Sequence, residues 1–143
     1  MAGNIGTFDF KKLNVIFGVA HITGYADGEA VEVTEESPAF NSTGGADGYT
    51  DRIKNNANRL NITLRIRQTS PVNQVLSALH NTDRAVSTPL PIIIKDSSGT
   101  TLITAKNAWI TQHPTITYGN EAQQREWIIN TGSDYLINLG GNN

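Results

Sequence analysis

Apolar and polar residues alternate most cleanly over residues 60–67, where Leu60, Ile62, Leu64 and Ile66 are separated by Asn61, Thr63, Arg65 and Arg67. A period of two predicts a half-buried strand, with one face on a core and the other wet or in an interface. The period then changes. Ser70 is placed to accept a hydrogen bond from the first free amides of a helix, and Pro71 suits the first helical position, where its missing N–H costs nothing. Val72, Val75, Leu76 and Leu79 follow as one apolar stripe, with Asn73, Gln74, Ser77 and His80 on the opposite face. The helix is expected to stop near Asn81, Thr82 and Asp83, because residues 86–89 are β-branched or small and end in proline. One strand therefore feeds one helix that lies on a sheet.

The remaining pattern is of strands. Residues 1–12 read as an arm in which Phe8 and Phe10 flank Asp9, able to add to a sheet edge. Residues 13–22 are apolar on both faces and predict a covered strand. After a turn at 24–28, residues 29–35 alternate again, with Val31 and Val33 on one face and Glu32 and Thr34 on the other. Residues 36–50 form a polar connection longer than a hairpin needs, the kind of loop that is functional or disordered. Residues 91–106 predict a hairpin turning at 96–99, its second strand continuing towards Trp109 and Thr111. Residues 124–130 and 135–139 predict a final strand pair. The expected fold is a single mainly-β domain over residues 1–143, a β-barrel or sandwich of about seven strands with one flanking α-helix.

Composition narrows the chemistry. Charged residues are 17% of the chain and the net charge is −2, so strong electrostatic capture of nucleic acid is excluded. With no cysteine, disulfide and thiolate chemistry are absent. No signal peptide is expected at the start, and no apolar run approaches the roughly 20 residues of a membrane span, so a soluble chain without membrane insertion is expected. The three histidines, His21, His80 and His113, lie at no metal-ligand spacing. Neither a nucleophile elbow nor a phosphate-binding glycine loop is present. Residues 44–51 make one imperfect copy of a calcium-binding repeat, for which a solvated loop is the plainer reading. No enzymatic activity and no cofactor are expected. Surfaces remain: Glu32 on one strand faces Arg65 and Arg67 on another if the two are neighbours.

The stretch RLNITLRIRQTSPVNQVLSALHNTD resembles the strand–helix core of tail tube proteins from contractile-tailed bacteriophages. The turn Gly119–Asn120–Glu121, the following Arg125–Glu126–Trp127 and the final Gly140–Gly141–Asn142 are similar too, as are Asp9–Phe10 and the Asp27–Gly28 turn. The resemblance spans nearly the whole chain. It implies a virion structural protein of the myophage tail, assembled in the host cytoplasm. Its copies would form hexameric rings stacked by helical assembly into a tube inside a contractile sheath, conducting phage DNA during genome ejection. The partners implied are further copies of itself, the tail sheath protein, baseplate and tail terminator proteins at the tube ends, and DNA passing without specific binding. The long loop would reach the next ring, which makes Pro38, Phe40, Asn41, Asp47 and Tyr49 stacking candidates, and Phe8, Asp9 and Phe10 would act from the arm. Glu32, Thr34, Asn61, Thr63 and Arg65 are candidates to line the bore, with Glu32 offsetting Arg65 to leave it nearly neutral. Two alternatives stand beside this: a tube protein of a type VI or related contractile injection system, and a small β-sandwich that binds a ligand through residues 36–50.

Overall fold

The computed structural model describes residues 10–96 and 101–139; Phe8, Asp9, most of the expected 96–99 turn and the glycine-rich end lie outside them. After a single 3-10 turn, Phe10–Lys12, β1 (Leu13–Phe17) reverses at once into the two-residue β2 (Ala20–His21). The continuous strand expected over 13–22 is therefore a hairpin. Gly18 makes the reversal with φ at +63°, its N–H donating to the Pro91 carbonyl at 2.8 Å. A Cβ there would come within 2.9 Å of the Leu90 side chain, so both conformation and space require glycine. The turn throws Val19 into solvent and lets Ala20 and Ile22 join Val15 and Phe17 in the core.

The other elements are β3 (Val31–Glu35), β4 (Phe40–Gly44), β5 (Thr50–Lys54), β6 (Leu60–Arg67), α1 (Val72–Val86), β7 (Leu90–Asp96), β8 (Leu102–Ile110), β9 (Gln124–Thr131) and β10 (Tyr135–Asn138). One antiparallel sheet runs β2-β1-β7-β8-β9-β6-β3, with β10 added to β8, while β4 and β5 form a separate ladder. The described residues thus hold ten strands and one helix rather than about seven strands, and the architecture is mainly β as expected. The expected pairing of the last two strands does not form. β10 pairs with Leu102 to Ala105 of β8, and β9 with Ala108 to Ile110 further along the same strand. Asn107 fixes this arrangement, its carbonyl accepting from the Gly132 N–H at 3.0 Å and its amide donating to Asp134 at 3.2 Å.

The inner faces of the sheet's two halves meet in one core. Val15, Phe17, Ile92, Ile94 and Ile103 come from one half, and Leu60, Ile62, Leu64, Ile66, Trp127 and Ile129 from the other. β6 alternates buried and half-buried residues along its length, as the sequence predicts. The Ser70 hydroxyl accepts from the Val72 N–H at 3.3 Å, and Gly24 at φ +72° passes so close that a Cβ would run into that serine. Helix α1 runs on to Val86, past the expected stop, and ends on Ser87 in the left-handed conformation. Its inward stripe is Val72, Leu76 and His80, with Leu79 half-buried against the core as expected, while Val75 is exposed and His80 leaves the polar face for the inward one.

His80 is buried, its ring 4.7 Å edge-on from that of His113, and its Nδ1 has no partner. Burial first, then His113 and Arg84, lower its pKa, opposed by Asp83 and the Ile110 backbone. The unfolded chain takes up the proton first as pH falls below the ordinary value of 6.5, so stability should be full above that pH and decline below it. Thermal melts between pH 8 and 5 should show the decline, and His80→Phe should flatten it.

Candidate functional site

The outside of the sheet carries two faces of opposite character. On one, the polar positions of β3, β6 and β9 stand in register: Glu32 opposite Thr63 opposite Ile128, and Thr34 opposite Asn61 opposite Asn130. Arg65 lies opposite Glu126 and Arg67 opposite Gln124. Glu32, Thr34, Asn61, Thr63 and Arg65 therefore share one contiguous surface. Its centre is Arg65, whose guanidinium lies 3.4 Å from Glu32, 3.4 Å from Glu126 and 4.0 Å from Glu29, and donates to the Glu29 carbonyl at 2.9 Å. The expected offset of Arg65 by Glu32 is present but incomplete as a description. Three carboxylates surround its guanidinium and Arg67 stands in the same outward row, so charges of both signs meet on this face. Glu126 was legible as the residue alternating with the apolar Trp127; its closeness to Arg65 depends on β6–β9 pairing.

On the other face, His21, Ile16, Ile93, Thr104 and Leu136 form one row across β2, β1, β7, β8 and β10. Ile16, Ile93 and Leu136 are all exposed there. A row of this kind is missed by strand-by-strand reading, because each isoleucine or leucine is a single exposed residue until the register aligns them.

The polar connection over 36–50 is not a loop. All of it from Phe40 onwards, with the four residues that follow, is the β4–β5 hairpin, paired from Phe40 opposite Lys54 to Gly44 opposite Thr50. Every residue of both strands is exposed, so the hairpin projects from the body. Its foot is held by polar bonds: Asn55 donates to the Ser37 hydroxyl at 2.7 Å, and Asn58 receives from the Ser37 amide at 3.1 Å and donates to Glu35 at 3.0 Å. The Tyr135 hydroxyl also donates to Glu35, at 2.6 Å; burial and that carboxylate push its pKa up to about 12. Phe40 lies under the Arg52 guanidinium at 3.9 Å, and Pro38, Asn41, Asp47 and Tyr49 are all exposed along the hairpin or at its base. The Asp47 carboxylate accepts from the Tyr49 amide within the turn, and no cluster of metal-ligating side chains occurs among the described residues. Of the arm candidates only Phe10 is described; its ring stands edge-on to Tyr25 at 5.1 Å, so it is anchored to the body. No described helix is long and apolar enough to cross a membrane.

Comparison with known proteins agrees with this structural character. The chain is 28% identical to structural protein ORF10 of Pseudomonas phage KPP10, over 99% of this chain and 87% of that protein. Among solved structures, the tube-terminating cap of the anti-feeding prophage superposes with a TM-score of 0.63 at 13% identity, covering 96% of this chain and 94% of that one. A chain of the gene transfer agent virion gives 0.63 at 8% identity, over 93% and 100%. The sheath/tube terminator of the extracellular contractile injection system PVC gives 0.53 at 14%, over 93% and 97%. At such identities these three likenesses establish the fold alone. The family described as bacteriophage PhiTE tail tube protein matches residues 14–139, nearly the full length. The chain belongs to that family, and is a structural protein of the phage tail rather than an enzyme.

Proposed function

We propose that this protein forms hexameric rings that stack into the inner tube of a contractile phage tail and conduct DNA during genome ejection. The observation that carries the reading is the division of the outer surface into a polar face of mixed charge on β3–β6–β9 and an apolar row on β1–β7–β8–β10, in a chain of the tail tube family. A conduit must not hold its cargo, since each neutralised phosphate adds affinity. The polar face, with Glu32, Thr34, Asn61, Thr63 and Arg65, lines the bore, where three carboxylates engage Arg65 and keep it from capturing phosphate. The apolar row is covered by neighbouring subunits or by the sheath protein. β3, bonded only to β6 among the described strands, offers its other edge to the next subunit of the ring. The tube ends in the virion meet baseplate and terminator proteins.

Electron microscopy of the purified protein tests this directly: hollow tubes of uniform width are expected, and single unstackable rings or lasting monomers at high concentration would overturn it. The bore assignment has its own test. Glu32 is half-exposed, so Glu32→Lys should alter folding stability by no more than about 1 kcal/mol. Phage carrying it should build tails of normal length yet eject DNA more slowly, and ejection at the normal rate would remove β3 from the bore.

A further inference from the structure

Between α1, β9 and the irregular segment 111–123 lies a cleft of about 150 Å³, lined among others by Ser77, His113, Ile116, Tyr118, Arg125 and Trp127. Most of its polar groups are already engaged. The Trp127 indole N–H donates to Asn73 at 2.9 Å, and the Ser77 hydroxyl bonds His113 Nε2 at 3.0 Å. Arg125 is different. Its Nη1 is buried with no hydrogen-bond partner, and it makes no ion pair among the described residues; its guanidinium lies over the Tyr118 ring, 5.5 Å from the ring centre. A guanidinium held in a largely apolar cleft without an anion is an incomplete site. Ile116 and Tyr118, 67% and 77% exposed, leave its rim apolar and uncovered.

The complementary surface is on the β4–β5 hairpin. Tyr49, 77% exposed, closes the hairpin turn, its carbonyl accepting from the Gly45 N–H at 2.8 Å one pair beyond Gly44 and Thr50, so it and Asp51 lie on the same side of the ladder. Asp51 has no ion-pair partner among the described residues, and the hairpin tip from 43 to 51 carries two aspartates and no cation. Hairpin and cleft also lie at opposite ends of one ladder. The hairpin's foot is tied to Asn58 beside Leu60, at one end of β6, whereas Arg125 lies opposite Ile66 near the other. Those ends are about 20 Å apart at the rise of a strand. A hairpin leaving one end and a socket at the other is a head-to-tail pair, which propagates along an axis instead of closing as a dimer.

We propose that this cleft is the socket for the β4–β5 hairpin of a second copy of the chain, Tyr49 entering against Tyr118 and Ile116 and the Asp51 carboxylate pairing with Arg125. The proposal deepens the tube reading by giving the contact between successive rings, and it is tested separately from it. Arg125→Glu and Asp51→Arg should each raise the protein concentration needed for assembly about tenfold or more, with monomer melting unchanged. Combined, they should return it to within about threefold of the unmodified protein. As the chain has no cysteine, Tyr49→Cys with Ile116→Cys under oxidation should give a ladder of covalent multimers on a non-reducing gel. That ladder requires no Arg125 variant to fold. Tubes without a ladder, or a double charge variant no better than the single ones, would overturn the socket. A ladder from a protein that forms no tubes would uphold the socket and overturn the tube.

Discussion

Leu76→Ala should lower the unfolding free energy by about 2–5 kcal/mol, the largest effect expected of a single substitution in this chain. Leu76 is fully buried at the middle of the inward stripe of α1, where the helix closes the core between the two halves of the sheet. Its truncation removes apolar burial and leaves a cavity in a core rich in stiff isoleucines. In a domain of this size the melting temperature should fall by roughly 4 °C for each kcal/mol lost. Val75→Ala, one residue away on the exposed side, should change it by no more than about 0.5 kcal/mol. Equal effects from the two substitutions in thermal or denaturant melts would show that the helix phase is wrong.

Replacing residues 40–54 with two glycines between Ala39 and Asn55 should abolish stacking while leaving the body folded. The Asn55 N–H already donates to the Ala39 carbonyl at 2.8 Å, so the shortened connection closes across an existing hydrogen bond. The hairpin buries none of its own residues, and the bonds among Ser37, Asn55 and Asn58 stay intact. Melting within about 2 °C of the unmodified protein is therefore expected, since surface changes of this kind are worth only tenths of a kcal/mol. Sedimentation and microscopy should find rings or smaller species and no tubes. Tubes of ordinary length from the shortened chain would remove the hairpin from assembly and the Arg125 socket with it.

Much of the local structure was legible. The alternation from Leu60 to Ile66 and the Ser70–Pro71 helix start depend on residues within a turn of one another, and both stand as read. The β4–β5 hairpin was not legible for a physical reason: neither strand touches the core, so no apolar residue recurs every second position to betray it. Residues 13–22 failed in the opposite way. Apolar residues on both parities look like a strand covered on two sides, whereas the reversal at Gly18 turns one side of each short strand to the same core. In the helix, Val75 and His80 compete for the inward stripe, and hydropathy favours valine. His80 lies inward because its ring meets His113, more than thirty residues away in the chain.

By itself the sequence determined the mainly-β class, the strand–helix unit and the tail tube family, because these are written in local periodicity, end signals and resemblance along the whole chain. Only the tertiary structure decided which strands are neighbours. β6 takes β3 on one edge and β9 on the other, which brings the carboxylates around Arg65 and separates hairpin from cleft. β8 takes both β9 and β10 on one edge, which completes the apolar row on the opposite face. Strand pairing is set by hydrogen bonds between residues far apart in the chain, and many registers bury the same apolar residues nearly as well. What separates them is the fit of particular groups, here Asn107 on Gly132 and Asp134, and that fit exists only once the chain has folded.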